Sequence, residues 1–380
     1  MSLENNSYPL LANLQRVCLK QNIPFASYRL PLQTEISTLV QYKSFPEKID
    51  LTDQLEQYSG FIIAPFLNSD QHNSFILTPD ITFNSDDISP GFVQSLSGIT
   101  NFLTEIIPLG KEIVSTQREN FIDQVNFAKH AIEEGMFHKV VLSKVRVEKL
   151  NVNFSAPAFF QNLCIKYPYA FVYMIQIPKV GCWIGATPEP ILVLEDGKVK
   201  TVSLAGTQIS TVGEIESYRW SEKEIEEQGI VTGFVENTLH SLKIDNFTKY
   251  GPANFKAGNL IHLKTSFEFE EADLKNRLAE FIKAFHPTPS VGGLPKEAAR
   301  GFIIKNEIHD RAYYTGFLGP LNIENKSNLF VNLRCLQLFK KKFVLYSGAG
   351  ITASSIAENE WDETDNKMLT MMNAMEIPNP

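Results

Sequence analysis

The chain has 380 residues, 43% of them hydrophobic, and a formal net charge of −8. This length and apolar content predict a large buried core in one or two domains. The acidic balance, with no run rich in lysine or arginine, argues against nucleic-acid binding. Because no stretch of about 18 apolar residues occurs and the N-terminus lacks a signal-peptide pattern, we expect a cytoplasmic protein that does not bind a membrane.

Short apolar segments separated by Asn, Asp, Ser and Pro clusters make up the first hundred residues. Residues 61–66 and 74–78 are two such segments, and the pattern predicts strands joined by loops. Further along, Thr116 and Glu119 have the spacing of a capping box at the start of a helix. Gly135 suits the C-terminal end of that helix.

The remaining chain alternates between predicted strands and helices. Asp196 and Gly197 are a strong hairpin signal, and Ser221 and Glu224 have capping-box spacing. A last helix is expected to end near Met375. Because tight turns join strands in antiparallel pairs, we predict an α+β fold rather than a doubly wound parallel sheet. The predicted strands are residues 139–147, 170–177, 191–194, 198–204, 329–339 and 343–346.

Four charged residues interrupt patterns that otherwise indicate core. A glutamate held among apolar, tightly turning residues, as Glu189 is, tends to stay protonated near neutral pH and can donate a proton; a solvated turn residue is the alternative. Lys139 opens an apolar strand, where a lysine can also extend to solvent. Glu227 lies on the apolar face of a helix but within a run of charges, and Glu363 could form an ordinary i,i+4 pair with Lys367.

Two glutamates on separate helices could supply the carboxylates that Mg²⁺ takes from a protein, with water and an anionic ligand completing its shell. A zinc site is not expected, because there is no Cys-x-x-Cys pair and no histidine at zinc-finger spacing. The cysteines are expected to be buried free thiols: Cys18, Cys164, Cys182 and Cys335.

Other candidate residues lie in apolar or glycine-rich surroundings. Arg334, expected in the middle of an apolar strand, is costly to bury unless it meets an anion. Gly348 and Gly350 could present backbone N–H groups to a carboxylate, or form a plain tight turn. His262 is more often a core histidine bonded to a neighbour. Residues 286–295 predict a structured loop between two helices that can approach a ligand closely.

Seven short motifs, in order along the chain, resemble those of the chorismate-utilising enzymes and, among these, of the isochorismate synthases. The resemblance covers about residues 115–375. It implies large, mostly antiparallel sheets packed in a sandwich-like core with helices outside, with residues 111–380 as the chorismate-binding catalytic region and residues 1–110 as an N-terminal part of the same unit. The motifs are Lys139-Val-Val-Leu-Ser-Lys144, Ile184-Gly-Ala-Thr-Pro-Glu189, Ser203-Leu-Ala-Gly-Thr207, Ser221-Glu-Lys-Glu224, His286-Pro-Thr-Pro289, Tyr346-Ser-Gly-Ala-Gly-Ile351 and Trp361-Asp-Glu-Thr364.

The resemblance also implies roles for individual residues. Lys139 matches the general base that activates water, and Glu189 matches the general acid that protonates the departing hydroxyl. Glu227 and Glu363 match ligands of Mg²⁺. The positions that match substrate contacts or the substrate pocket are Gly206, Thr207, His262, Ser290, Arg334, Gly348 and Lys367.

The implied reaction is attack of water on C2 of chorismate with loss of the C4 hydroxyl, which gives isochorismate. A lysine at position 139 and the His286-Pro-Thr-Pro loop favour this water-using branch over the ammonia-using anthranilate and aminodeoxychorismate synthases. Ser290 stands where isochorismate synthases often have alanine, so a salicylate synthase, which goes on to eliminate pyruvate, is the alternative. A monomer is the mild expectation, since no heptad repeat is present.

Overall fold

The computed structural model describes residues 8–99, 112–209, 215, 218–257 and 260–375. Its strands, in chain order, are β1 (Phe25–Arg29), β2 (Ser37–Val40), β3 (Glu47–Ile49), β4 (Gly60–Ala64), β5 (Ser74–Leu77), β6 (Ile81–Asn84), β7 (Lys139–Lys149), β8 (Phe171–Ile177), β9 (Gly181–Thr187), β10 (Pro190–Glu195), β11 (Lys198–Ile209), β12 (Phe247–Ala257), β13 (Leu260–Glu270), β14 (Gly293–Leu294), β15 (Phe317–Leu321), β16 (Ser327–Val331), β17 (Cys335–Leu338) and β18 (Lys342–Ile351). Its helices, in chain order, are α1 (Pro9–Gln21), α2 (Pro90–Ser97), α3 (Arg118–Glu133), α4 (Ala156–Lys166), α5 (Glu222–Ser241), α6 (Glu271–Leu274), α7 (Leu278–Phe285), α8 (Lys296–Asn306) and α9 (Ala357–Met375).

Two antiparallel sheets of nine strands each organise the described part of the chain. The first sheet has the strand order β14-β7-β18-β17-β9-β8-β1-β2-β6, and the second has the order β12-β13-β11-β10-β16-β15-β4-β5-β3. Strands from the first hundred residues therefore extend both sheets at one edge. The predicted α+β class with large antiparallel sheets is confirmed.

Aromatic side chains fill the space between the two sheets. The rings of Phe171 on β8 and Phe330 on β16 stack with their centroids 4.3 Å apart, and the ring of Tyr28 on β1 lies 5.7 Å from that of Phe61 on β4. Each pair joins a strand of the first sheet to a strand of the second. Burial of this large aromatic area holds the sheets face to face, which confirms the predicted sandwich-like core.

Helices cover the outer faces of the sheets. Four of them, α1, α2, α4 and α9, pack on the outer face of the first sheet, while α5 and α7 pack on that of the second. At the edge of the first sheet, α3 and α8 pack on β7 and β18. The arrangement leaves the ends of the sandwich as the places where polar side chains from both sheets can meet.

The structure tests two expectations from composition, one about membrane-spanning helices and one about the cysteines. No helix in the described ranges is both long enough and apolar enough to cross a bilayer. The cysteines are free thiols, as predicted, and three of them are buried, but Cys164 on α4 is partly exposed.

Local signals predicted several boundaries correctly. Asp196 and Gly197 form the turn between β10 and β11, and both have positive φ, 52° and 74°. Ser221 is the N-cap of α5, and its side chain and that of Glu224 form the reciprocal capping box. The predicted last helix is present as α9, which is described as far as Met375, the last described residue. In each case the signal and the structure that it specifies lie within a few residues of each other.

The predicted capping box at Thr116 and Glu119 is wrong. Helix α3 begins at Arg118, and its N-cap residue, Gln117, makes no capping hydrogen bond with its side chain. The Oγ1 of Thr116 accepts the backbone N–H of Val145 on β7 at 3.1 Å. A long-range contact with the sheet therefore takes the hydroxyl that the local pattern assigned to the helix.

The prediction of one strand over residues 329–339 is also wrong, because this segment crosses between the sheets. Strand β16 pairs with β10 in the second sheet, and β17 pairs with β9 in the first. Arg334 lies in the break between them with φ 47° rather than in the middle of a strand. Strand β16 is buried throughout and β17 is buried at its first two residues, so the apolar pattern continues through the break and gives no sign of it.

Phe330→Ala should destabilise the protein by about 3–5 kcal/mol, since it removes a buried ring from the contact between the sheets and leaves a cavity. Unfolding in urea measures the change. Val152→Ala, at a residue that is 99% exposed, should change the free energy of unfolding by less than about 0.5 kcal/mol. An unchanged urea midpoint for Phe330→Ala would contradict the importance of this contact.

Candidate active site

The candidate site lies where two neighbouring segments pass from one sheet to the other. Glu189 lies between β9 of the first sheet and β10 of the second, and Arg334 lies between β16 of the second sheet and β17 of the first. The backbone joins the two crossings: the N–H of Val331 donates to the carbonyl of Glu189 at 2.9 Å, and the N–H of Ala186 donates to that of Arg334 at 3.0 Å. An acidic and a basic residue are therefore held side by side.

A cavity opens beside these crossings, and the structure brings most of the predicted site residues to its wall. Lys139 joins the group through Nζ, which lies 2.7 Å from Oε1 of Glu227. Thr207 follows Gly206 on β11, and its side chain lies outside the described part of the chain. The predicted residues that line the cavity are Glu189, Gly206, Glu227, His262, Ser290, Arg334, Gly348, Glu363 and Lys367.

Glu189 is buried, with 4% of its surface exposed, and burial raises its pKa to about 7. Hydrogen bonds to its Oε1 from the hydroxyls of Ser290 and Thr288 act in the opposite direction, as do the charges of Lys139 and Lys367. At neutral pH the side chain is therefore divided between its acid and carboxylate forms. A carboxyl group in this condition can both release and accept a proton.

The side chain of Lys139 is fully buried at the first position of β7, where its Nζ donates to Oε1 of Glu227. Gly350, on the neighbouring strand β18, makes room for this pair. A Cβ on Gly350 would lie 2.6 Å from Oε1 of Glu227 and 2.9 Å from Cε of Lys139. Any side chain larger than hydrogen would displace one or both charged groups.

Gly348 and Gly350 belong to β18 and pair with β7, so the segment is not the tight turn that the sequence left open. The carbonyl oxygen of Gly348 accepts a hydrogen bond from Nζ of Lys367 at 2.9 Å. The same Nζ lies 2.6 Å from Oε1 of Glu363, one turn earlier on α9. Strand β18 thus holds the amino group of Lys367, and through it the carboxyl group of Glu363, at the cavity wall.

His262 is buried on β13, and its Nδ1 lies 2.8 Å from the carbonyl oxygen of Gly206. Because a carbonyl only accepts, Nδ1 carries the proton. Burial, together with the positive charge of Arg334, lowers the pKa of His262 to about 3. The ring is therefore neutral, with Nε2 in the form that accepts hydrogen bonds.

Glu227 on α5 and Glu363 on α9 are the two predicted metal ligands, and both line the one cavity. Mg²⁺ prefers oxygen ligands and often takes only one or two protein carboxylates, with water and substrate as the rest of its shell. In the described ranges, no three His, Cys, Asp or Glu side chains are grouped as a metal cage. The donors therefore fit a hard cation shared with a ligand rather than a closed structural site.

Tyr314 lines the cavity and was missed by the sequence analysis. Its hydroxyl would lie 3.1 Å from a Cβ on Gly348. The residue sits between α8 and β15 and is 2% exposed. Beside Tyr313 it has the pattern of an ordinary core aromatic, so no local signal distinguishes it.

The site as a whole gathers groups that are able to transfer protons and to bind a small anion. It combines a protonatable carboxyl group, a buried ammonium group, a guanidinium group and two carboxylates suited to a hard cation. Such a set of groups around one cavity is typical of enzyme active sites.

Comparison with known proteins agrees with this class. The model of a family described as chorismate binding enzyme matches residues 15–376. The chain belongs to that family.

Two curated relatives illustrate the degree of similarity. The vibriobactin-specific isochorismate synthase of Vibrio cholerae is 25% identical over 275 residues, which are 71% of this chain and 70% of that protein. Isochorismate synthase EntC of Escherichia coli is 27% identical over 241 residues, 62% of this chain and 61% of that protein. The matched region thus spans somewhat under two thirds of the length of EntC.

Solved structures show the same fold. One is a putative 2,3-dihydroxybenzoate-specific isochorismate synthase, DhbC, from Bacillus anthracis, with a TM-score of 0.75 and 21% identity over 95% of this chain and 99% of that one. Another is MenF, the menaquinone-specific isochorismate synthase of Escherichia coli, with a TM-score of 0.74 and 18% identity over 99% and 93% of the two chains. At these identities the likeness establishes the architecture.

Glu189→Gln should raise the free energy of unfolding at pH 8 and leave it nearly unchanged at pH 4. The pKa of Glu189 is about 7 in the folded protein and about 4.3 in an unfolded chain. The wild type therefore loses stability as the pH rises through this interval and bears the full cost above it. We expect a difference on the order of 1–3 kcal/mol at pH 8, measured by urea unfolding.

The matched control is Glu35→Gln, at an exposed residue. It should leave the free energy of unfolding nearly unchanged at both pH values. Equal stability of Glu189→Gln and the wild type at pH 8 would show that ionisation of this carboxyl group carries no cost.

Proposed function

We propose that this protein is an isochorismate synthase, which converts chorismate to isochorismate. Membership of the chorismate-binding family and the names of its relatives support this function. The observation that carries it is a buried carboxyl group at the cavity wall, Glu189, whose pKa is about 7, together with a buried lysine, Lys139, that contacts Glu227 of the same wall. An exchange of hydroxyl groups across a ring needs both an acid and a base.

The proposed reaction is balanced without any other reactant being consumed. Water loses a proton to Lys139 as its oxygen bonds to C2 of chorismate. The ring double bond shifts, and the C4 hydroxyl leaves with a proton from Glu189. One water enters and one leaves, so substrate and product are isomers.

Lys139 accepts a proton only as a neutral amine. In the described structure its Nζ donates to Oε1 of Glu227 at 2.7 Å, so this contact occupies the nitrogen that would accept the proton. We infer that the contact between Lys139 and Glu227 breaks before water is activated. Gly350 leaves both side chains room to separate, because it places no Cβ beside them.

Arg334 and Lys367 are the cations that we assign to the carboxylates of chorismate. In the described ranges Arg334 has no carboxylate within ion-pair distance, and its Nη1 donates a long hydrogen bond to Oγ1 of Thr370 at 3.4 Å. Burial lowers its pKa to about 10, so it remains charged at neutral pH. A guanidinium group held in this way is suited to bind a carboxylate with two hydrogen bonds.

Mg²⁺ is the proposed cofactor, held by Glu227 and Glu363. When bound, it would neutralise a carboxylate of the substrate and offset its repulsion from a protein with a net charge of −8. Gly206, Thr207, His262 and Gly348 complete the proposed substrate pocket, in which the neutral ring of His262 offers an acceptor to a hydroxyl group.

A salicylate synthase is the second candidate, and Ser290 is the reason to keep it. Its hydroxyl donates to Oε1 of Glu189, the proposed acid. A group that orders this carboxyl could also help it to direct a later elimination of pyruvate. The same site would then release salicylate and pyruvate.

Incubation of the purified protein with chorismate and Mg²⁺, followed by chromatography of the products, tests the proposal. Accumulation of isochorismate supports it, and salicylate with pyruvate supports the second candidate. Turnover of chorismate to neither product would contradict both.

Glu189→Gln and Lys139→Gln should each lower kcat by about 100- to 10,000-fold, because each removes a proton-transfer group. Chorismate binding, measured by calorimetry, should persist in Glu189→Gln, since the amide keeps the shape of the side chain. Lys149→Gln, at the exposed end of the same strand, is the control and should retain activity. Full activity of either site variant would exclude its residue from the assigned role.

Removal of divalent cations with a chelator should abolish activity, and added Mg²⁺ should restore it. Glu227→Gln should raise the Mg²⁺ concentration needed for half-maximal activity by at least about tenfold, because a neutral amide is a weaker ligand than a carboxylate. Glu226→Gln changes the preceding residue, which is exposed and outside the site cavity. An equal effect of the two substitutions would argue against Glu227 as a metal ligand.

A further inference from the structure

A buried ion pair lies behind the cavity wall, between α8 and β15. Arg311 and Glu307 have side chains that are 3% exposed each. Nε of Arg311 donates to Oε2 of Glu307 at 2.7 Å, and Nη2 donates to Oε1 at 2.6 Å. A buried pair costs desolvation and is not by itself evidence of stability, so its remaining contacts matter.

Those contacts run to the two segments that carry the proposed chemistry. Nη2 of Arg311 donates to the carbonyl of Val141 at 2.6 Å, and Nη1 donates to that of Val291 at 2.8 Å. Val141 lies two residues after Lys139 on β7. Val291 follows Ser290, whose hydroxyl contacts Glu189.

The guanidinium group uses all of its donors. Its fifth contact runs from Nη1 to Oγ1 of Thr315 at 3.3 Å, so five N–H groups meet five acceptors. The carbonyl of Val141 is available because strand pairing stops at this point. The N–H of Val141 donates to the carbonyl of Gly292, but the partner strand β14 begins only at Gly293. On that side Arg311 supplies the donor for the carbonyl of Val141.

Glu307 extends the network along β7. Its Oε1 accepts the backbone N–H of Ser143 at 2.7 Å and the hydroxyl of Ser143 at 2.9 Å. Since that hydroxyl donates to Glu307, Nε2 of His309, 2.9 Å away, must donate to it. Although burial alone would raise the pKa of Glu307, the charge and hydrogen bonds of Arg311 hold it below its ordinary value.

We propose that Arg311, fixed by Glu307, is a positioning residue for the reaction: it holds β7, which carries Lys139, and the loop that carries Thr288 and Ser290 in one fixed arrangement around Glu189. The proposal rests on the proposed function of this site. Lysine cannot replace arginine here, because one ammonium group cannot reach acceptors on a strand, a loop and a carboxylate at once.

Arg311→Lys tests the proposal through the pH dependence of kcat. Misplacement of the acid and base should lower kcat by roughly 10- to 100-fold, with a change in KM for chorismate of less than about threefold. Loosening of the loop weakens the hydrogen bonds from Ser290 and Thr288 that lower the pKa of Glu189. The limb of the profile on which activity is lost as Glu189 ionises should therefore move to higher pH.

Ser290→Ala supplies the reference for that shift, because it removes one of the two hydroxyls directly. The shifts of Arg311→Lys and Ser290→Ala should be less than additive in the double variant, since both changes weaken the hydrogen bond from Ser290 to Glu189. Fully additive shifts would mean that Arg311 acts on Glu189 by another route, and would overturn the proposal.

Arg29→Lys is the matched control for the loss of a buried guanidinium group. Arg29 is 2% exposed and donates to the carbonyls of Tyr167 at 2.6 Å and Pro168 at 2.8 Å, away from the cavity wall. The Arg29→Lys variant should lose thermal stability without a shift in the high-pH limb of the kcat profile. An equal shift in Arg29→Lys, or a wild-type profile in Arg311→Lys, would overturn the proposal.

Two further measurements keep the test decisive. If Arg311→Lys does not fold, Ser143→Ala removes one donor to Glu307 and should shift the limb in the same direction by less; no shift would count against the proposal. If the wild type makes no isochorismate, the proposed function fails. Infrared titration of the Glu189 carboxyl group then tests the positioning role without activity, and Glu189→Gln assigns the signal. Equal titration midpoints in the wild type and in Arg311→Lys would overturn the proposal.

Discussion

The site depends on one constraint of the backbone: two segments cross between the sheets side by side and hydrogen-bond to each other. The N–H of Val331 donates to the carbonyl of Glu189, and that of Ala186 donates to the carbonyl of Arg334. These bonds leave neither residue free to move away from the end of the sandwich. The same position places Glu189 at the edge of an apolar core, and its pKa is raised because of that burial.

The charges around the cavity are arranged in pairs that a ligand can rearrange. Lys139 contacts Glu227 and Lys367 contacts Glu363, so the ammonium groups and the carboxylates balance in the structure described. Arg334 has no carboxylate partner in the described ranges. Under the proposed function, the dianionic substrate and the divalent cation would meet groups of opposite charge at these points, and an acidic protein could bind an anion in this way.

The sequence predicted best those features that neighbouring residues determine. The Asp196-Gly197 turn and the Ser221 capping box are correct because each is complete within four residues. The predicted cap at Thr116 is wrong, because β7 takes its hydroxyl, and the break at Arg334 was missed because buried strands of both sheets have the same apolar pattern. For the site, the family resemblance named most of the charged and polar residues that line the cavity, but it named neither Tyr314 nor Arg311.

By itself the sequence determined the fold class and the family, and it supplied the residues that we propose to transfer protons or bind cations, since composition, turn signals and motif order are written along the chain. Tertiary structure alone decided which of them meet. The contact of Lys139 with Glu227 spans 88 residues of sequence, and that of Ser290 with Glu189 spans 101. No local pattern can specify contacts over such separations, because the packing of the two sheets and the crossings between them set the distances.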